Sequence, residues 1–164
     1  MAEVASLNRK VSTRIKPKPP FNFDATVYKP SHFPTADNCY QEGVYWQTIR
    51  FEGLVLGLKM ENLGNIDMPL IRATFYSVYP LANQQMSRLI REVRWRFDLD
   101  ADLSLFCQKF MQDELLGLIL EKWRGMRVSC AYSLYELLII SIMLQNAVVR
   151  RSIQMMEALF EKYG

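Results

Sequence analysis

The residues best suited to binding a polar ligand lie just after the most apolar stretch of the chain. They are Gln145, Asn146, Arg150 and Arg151. Amide side chains donate and accept hydrogen bonds, and guanidinium groups bind phosphate oxygens in pairs, so this set could contact a nucleic acid. From the residues alone, the favoured interpretation is that Gln145 and Asn146 cap adjacent helix ends. For the two arginines, a phosphate contact and a solvated helix face both stay open.

Little else in the sequence could support catalysis. His32 is the only histidine, and its KPSHFP context predicts a loop, which argues against a histidine-based triad or metal cluster. No Gly-rich phosphate-binding loop is present. The acids of DLDADL lack the glycine and terminal glutamate of a calcium loop, so we expect them to cap a helix. We therefore expect no catalytic residue, no metal and no cofactor.

Composition favours an intracellular globular chain. Half of the 164 residues are hydrophobic and 12% are aromatic, which is enough for a core. The N-terminus lacks the apolar region of a signal peptide, and the longest apolar stretch, Leu134 to Leu144, is shorter than the ~18 residues of a membrane span. Three scattered cysteines form no C-x-x-C pair, so we expect reduced thiols and a cytoplasmic or nucleoid location.

The positive charge is concentrated in a Pro-containing N-terminal tail. Residues 1–20 carry five basic side chains against Glu3, a net charge of +4, which leaves −1 for the other 144 residues of a chain whose formal charge is +3. Such a tail could touch phosphates, but a solvated arm without a role is the favoured interpretation.

Hydrophobic patterning predicts an α+β fold with strands first and helices later. We expect three regions, which are a tail or linker at 1–20, a β-rich domain at 21–80 and a helical domain at 81–164. Antiparallel strands are expected near 43–50, 53–60 and 70–78, with a further strand plausible near Phe23 to Val27. Helices are expected near 83–97, 102–112, 114–123 and 134–144, with another after residue 146. Ser133 and Glu136 have the spacing of a capping box for the helix at 134–144.

The second half of the sequence resembles the helix-hairpin-helix DNA glycosylases, most closely the 3-methyladenine DNA glycosylase II (AlkA-type) branch. The resemblance rests on the order and spacing of four segments over about seventy residues. They are Phe97 to Asp100, Asp113 to Leu116, Gly125 to Arg127, and Glu136 to Gln145.

That resemblance implies the N-terminal part of a base-excision-repair enzyme that hydrolyses the N-glycosidic bond of a damaged base. It implies that Gln145 and Asn146 enter the minor groove of double-stranded DNA and fill the gap left by an extruded base. It also implies that the DNA-gripping hairpin and the catalytic aspartate lie downstream of residue 164. Lys162 does not match the catalytic lysine of bifunctional members.

Two expectations about partners follow. The helix at 134–144 is apolar nearly all round, so it needs neighbours on all sides. A C-terminal half, from the same gene or a second chain, would provide them. Self-association through Ile139, Ile140, Ile142 and Met143 is the other possibility. The alternative function is a non-catalytic protein-interaction module derived from a glycosylase scaffold.

Overall fold

The structure is a computed structural model that describes residues 6–28, 37–130 and 134–163. His32 and Ser133, and with Ser133 the expected capping box, lie outside these ranges. Within them, the chain forms one antiparallel sheet and six helices, which confirms the α+β class. None of these helices is long and apolar enough to cross a membrane.

Five antiparallel strands form the sheet, in the order β1-β5-β4-β3-β2. Their bounds are β1 Arg9–Ile15, β2 Asn38–Gln41, β3 Val44–Phe51, β4 Leu54–Asn62 and β5 Ile71–Ser77. The three strands expected from β-branched and aromatic residues are confirmed as β3, β4 and β5. The β3–β4 hairpin turns at Glu52 and Gly53, which both have positive φ, the geometry that suits a tight two-residue turn.

The expectation of a strand near Phe23 to Val27 is wrong, because this segment is a helix, α1 Phe23–Val27. The Asn22 side chain accepts a hydrogen bond from the Ala25 amide at 3.0 Å and so caps the first turn. Phe23 and Val27 are buried in the core. Capping and burial therefore override the strand preference of the β-branched residues.

The expectation of a linker within residues 1–20 is also wrong in part, because β1 belongs to the sheet. All of its residues pair with β5, from Arg9 opposite Ser77 to Ile15 opposite Ile71. The Ser12 and Thr74 hydroxyls lie 2.9 Å apart across the two strands. The alternation of Val11, Thr13 and Ile15 suits a strand, whereas the lysines, arginines and prolines around it suggested a tail. The division into three regions stays a proposal.

The helices follow the sheet along the chain. Their bounds are α2 Asn83–Arg96, α3 Ser104–Phe110, α4 Leu116–Trp123, α5 Leu134–Leu144 and α6 Val149–Tyr163. Leu89 and Val93 of α2, together with Phe97, pack in the same buried cluster as Tyr45 and Phe75 of the sheet. The periodic apolar residues of α2 therefore cover one face of the sheet, as their helical spacing predicts.

Acidic residues cap α3 and α4 in the way the sequence suggests. Asp102 accepts a 3.0 Å hydrogen bond from the Ser104 amide and another from the Ser104 hydroxyl. Asp113 accepts from the amides of Leu115 and Leu116 at 3.0 and 2.9 Å, which lowers the pKa of its carboxyl. A carboxylate at this position satisfies amides that lack a partner within the helix.

The turn after α4 contacts the segment between β1 and α1 and the loop between β4 and β5. Gly125 has φ +81°, and its carbonyl accepts a 2.8 Å hydrogen bond from the Asn22 amide. Arg124 donates to both carboxylate oxygens of Asp67 at 2.7 and 2.8 Å. Arg127 is 1% exposed, and its Nη2 donates to the Lys18 carbonyl at 2.7 Å. These contacts fix the direction in which the chain continues toward α5.

Candidate nucleic-acid interface

The candidate site is the corner between α5 and α6, at Gln145 and Asn146. The Gln145 amide donates to the Ile142 carbonyl at 3.2 Å, which ends α5 in a tight turn. Asn146 follows with φ +53°, a left-handed conformation that asparagine adopts more readily than most residues. The Ser152 hydroxyl of α6 donates to the Met143 carbonyl of α5 at 2.9 Å. The corner is therefore fixed from both sides by hydrogen bonds.

Both amide side chains at this corner are exposed. Within the described ranges, neither the Gln145 nor the Asn146 side chain makes a hydrogen bond to another residue. The expectation that these amides cap adjacent helix ends is thus met only by the backbone conformation of Asn146, not by its side chain. Four donor and acceptor groups are left facing solvent at the tip of a helical hairpin.

Arg150 and Arg151 lie in the first turn of α6, directly after the corner, and both are exposed. This first turn contains no acidic residue. A cation at a helix N-terminus opposes the helix dipole, at a cost of roughly 0.3–1 kcal/mol each. A bound phosphate would reverse that cost, because free amides and guanidinium groups would both face the anion. Among the described residues, neither arginine has a carboxylate partner.

Next to the corner, α5 and α6 expose a large apolar surface. The exposed fractions of the side chains of Leu134, Tyr135 and Ile142 are 72%, 74% and 62%. Leu138 of α5 and Val148 and Val149 at the start of α6 are exposed as well. Of the four residues expected to form a self-association face, only Ile142 is exposed, because Ile140 is buried and Ile139 and Met143 are half-buried. α5 packs against α6.

The structure also shows a groove that the sequence reasoning missed. An open cavity of about 450 Å³ lies between α2 and the segment after Arg127, lined by Arg91, Arg94, Trp95, Asp98 and Val128, among others. Trp95 is 70% exposed, although tryptophan is usually mostly buried. The sequence signal for this exposure is that Trp95 lies outside the apolar stripe of α2. In the parts of the chain that the structure describes, no cluster of His, Cys, Asp and Glu is arranged to hold a metal ion.

The comparison with solved structures decides which known fold this is. The chain matches the 3-methyladenine DNA-glycosylase from Archaeoglobus fulgidus with a TM-score of 0.72 at 15% identity. The chain has a glycosylase-like fold. The match covers 93% of this chain and 50% of that one, so this chain spans half the length of the known structure. No family model and no curated protein matches the sequence.

The glycosylase-like fold is shared over 93% of this chain, in which the strands of the sheet precede the helices α2 to α6. It does not by itself assign a role to Gln145, Asn146 or the two arginines, because folds of this kind can carry different sites. What the geometry establishes is an exposed polar corner on a hairpin of two helices, with two cations one turn away.

Proposed function

We propose that this chain is the N-terminal portion of a base-excision-repair DNA glycosylase of the AlkA-like branch, and that its α5–α6 corner is the wedge that holds a damaged base out of the duplex. The observation that carries the proposal is the pair of exposed amides at Gln145 and Asn146, whose side chains make no described hydrogen bond. Support also comes from the glycosylase-like fold, which this chain shares with a 3-methyladenine DNA-glycosylase.

The corner suits the chemistry of an extruded base. Removing a base from the stack costs a few kcal/mol and leaves its partner base without hydrogen bonds. Gln145 and Asn146 offer donors and acceptors for that orphaned base edge, and their side chains partly fill the gap. Arg150 and Arg151, at the N-terminus of α6, would bind the phosphates on either side. Double-stranded DNA with a damaged base, inside the cell, is therefore the proposed ligand.

The hydrolysis itself would need residues outside this set. We propose that the DNA-gripping hairpin and the catalytic aspartate are supplied by a helical C-terminal half, in the same or another chain. That half would cover the exposed surface of Leu134, Leu138 and Ile142. Burying one such side chain contributes about 1.5–3 kcal/mol, so a surface of this size would bind a matching helical layer strongly.

The test compares lesion-containing and undamaged duplexes in the enzyme completed by its catalytic half. Gln145→Ala removes one amide. Asn146→Gly removes the other and suits the left-handed backbone, whereas alanine would add strain at φ +53°. Each variant should weaken lesion binding by about 1–3 kcal/mol more than undamaged binding, because a hydrogen bond in the flipped complex is lost. Gln154→Ala, an exposed amide further along α6, is the matched control.

Equal losses on both duplexes, or a loss in the Gln154→Ala control as large as in the corner variants, would contradict the wedge. A second measurement concerns turnover. The chain alone should release no base from alkylated, oxidised or deaminated duplexes, since no described residue is proposed to act as the catalytic acid or base. Release above the buffer control would contradict the proposal that the catalytic segment lies elsewhere.

The apolar surface of α5 favours a second candidate, a non-catalytic interaction module built on the same scaffold. In that case the exposed leucines and isoleucines bind a protein partner, and the corner amides have no DNA role. Mutating Ile142 and Leu138 to glutamine would then abolish partner binding, while the corner variants would leave every DNA-binding measurement unchanged.

A further inference from the structure

The sheet has a second face that the proposed wedge does not use. One face forms the core with α1 and α2 through residues such as Tyr45, Leu58 and Phe75. The alternate residues of each strand project to the opposite side, which we call the outer sheet face. Its side chains are exposed or half-buried, apart from Thr74 at the centre.

Strand register arranges the outer sheet face in three rows that run across the strands. From β1 to β3, the rows are Arg14–Arg72–Glu61–Val44, Ser12–Thr74–Lys59–Trp46 and Lys10–Tyr76–Gly57–Thr48. Neighbouring strands are about 4.8 Å apart and neighbouring rows about 7 Å apart, so the face is roughly 14 Å across the rows.

The outer sheet face is strongly cationic, although the whole chain carries only +3. Lys59 and Arg72 share one carboxylate, Glu61, at 3.1 and 3.7 Å. Lys10 and Arg14 of β1 and Arg50 of β3 are exposed and have no carboxylate partner among the residues that the structure describes. Within the basic N-terminal segment, β1 thus fixes Lys10 and Arg14 on this face.

Two aromatic rings lie among these cations. Trp46 and Tyr76 are half-buried and sit on either side of β4, with Lys59 and Gly57 between them. The Lys59 ammonium lies 5.7 Å from the centre of the Trp46 ring. A Cβ on Gly57 would come within 3.3 Å of the Tyr76 Cβ and 3.4 Å of Leu7, so a larger residue would crowd both side chains. Glycine therefore lets the Leu7 and Tyr76 side chains pack closely over β4 at this point.

We propose that the outer sheet face binds single-stranded nucleic acid. Lys10, Arg14 and Arg50 contact the phosphates, and bases stack on Trp46 and Tyr76. The charge excess favours a polyanion. The rings favour a single strand over a duplex, because only unpaired bases can stack on a protein side chain. This site is independent of the α5–α6 corner, so the failure of one leaves the other standing.

The test measures fluorescence anisotropy of a labelled oligothymidylate of about 12 nucleotides, a length typical of one stacking platform, with the full chain. The double variant Lys10→Gln/Arg14→Gln removes two exposed cations from an edge strand. The slope of log K against log salt concentration should become shallower by about 1.4 in this variant, since each phosphate contact to a single strand contributes about 0.7 to that slope. Arg9→Gln is the matched control, because it lies on the same strand one residue from Lys10 and projects to the other side.

A further variant, Tyr76→Thr, should weaken binding roughly tenfold or more, since an aromatic ring contributes substantially to each stacked base. Thermal melting followed by circular dichroism checks its fold, and the exposed-cation variant tests the proposal even if Tyr76→Thr does not fold. Gln154→Ala changes an exposed amide outside both proposed sites and should leave this binding unchanged.

Three outcomes would overturn the proposal. The first is an equal loss in Arg9→Gln and in the double variant. The second is equal affinity for the oligothymidylate and for poly-glutamate, which would indicate a general acidic partner. The third is tighter binding to a duplex of the same length than to the single strand.

Discussion

Replacing Gly125 with alanine should strongly destabilise the protein, because this glycine is constrained twice. Its φ of +81° is a conformation that costs an L-residue about 1–2 kcal/mol. A Cβ there would also lie 2.8 Å from the Asn22 nitrogen and 2.9 Å from the Phe21 nitrogen. Both are backbone atoms, so the chain must move to relieve the clash, at a cost of about 1–3 kcal/mol.

That movement would also weaken the hydrogen bond from the Asn22 amide to the Gly125 carbonyl, worth about 1 kcal/mol. The total expected loss is about 3–6 kcal/mol. Gly53→Ala is the control, since Gly53 has nearly the same φ, +77°, but open space where its Cβ would lie. It should lose only about 1–2 kcal/mol.

Urea denaturation followed by circular dichroism gives the free energy of unfolding for the parent and both variants. The difference between Gly125→Ala and Gly53→Ala isolates the contact between the turn after α4 and the segment before α1. Equal destabilisation of the two variants would refute the reasoning, because it would mean that this close approach does not exist in the folded protein.

Three further outcomes are expected. The pKa of Asp113 is lowered by hydrogen bonds from the first turn of α4, so its contribution to stability is present above about pH 4 and is lost at lower pH. In Asp113→Asn, the urea midpoint should therefore fall less steeply as the pH is lowered. An unchanged fall of the midpoint in acid would contradict this. Burial, with a hydrogen bond to Asp24, raises the pKa of Tyr40 to about 12, so the stability of the protein should fall between about pH 10 and 12. In an ultraviolet titration, Tyr40→Phe should lack the tyrosine that ionises last in the parent. Light scattering at micromolar concentration should show self-association that Leu138→Gln/Ile142→Gln reduces, and a monodisperse 19.2 kDa parent that binds no hydrophobic dye would oppose it.

The parts of the fold that sequence predicts are those whose pattern is local. Alternation in "VYWQTIRF" predicts a strand, and β3 spans those residues. The helical recurrence of Leu89, Val93 and Phe97 predicts α2 and the face that it buries. In both cases a periodic apolar pattern matches one half-buried element.

The parts that sequence misses depend on distant partners. β1 is a strand because β5, some sixty residues later, pairs with it. The segment of α1 has β-branched residues that favour a strand, but Asn22 caps it and Phe23 and Val27 are buried. In such segments tertiary contacts outweigh the local preference.

The sequence locates the corner of the candidate site, but it does not say which side of α5 is buried. The change from an apolar run to Gln145 and Asn146 marks a corner, and the structure has that corner. Periodicity could not say which side of α5 is buried, because the helix is apolar all round. The structure places Ile140 inside and leaves Ile142 exposed.

Disulfide trapping tests the central claim, that the corner enters DNA where a base is missing from the stack, most directly. In a Cys39→Ser background, which removes the exposed native thiol, Gln145→Cys and the control Gln154→Cys are mixed with duplexes that carry a thiol tether opposite either an abasic site or an intact base. We expect Gln145→Cys to cross-link several-fold faster at the abasic site than at the intact pair, and Gln154→Cys to show no such preference. Equal cross-linking rates for the two cysteine variants, or equal rates at the abasic site and at the intact pair, would contradict this claim.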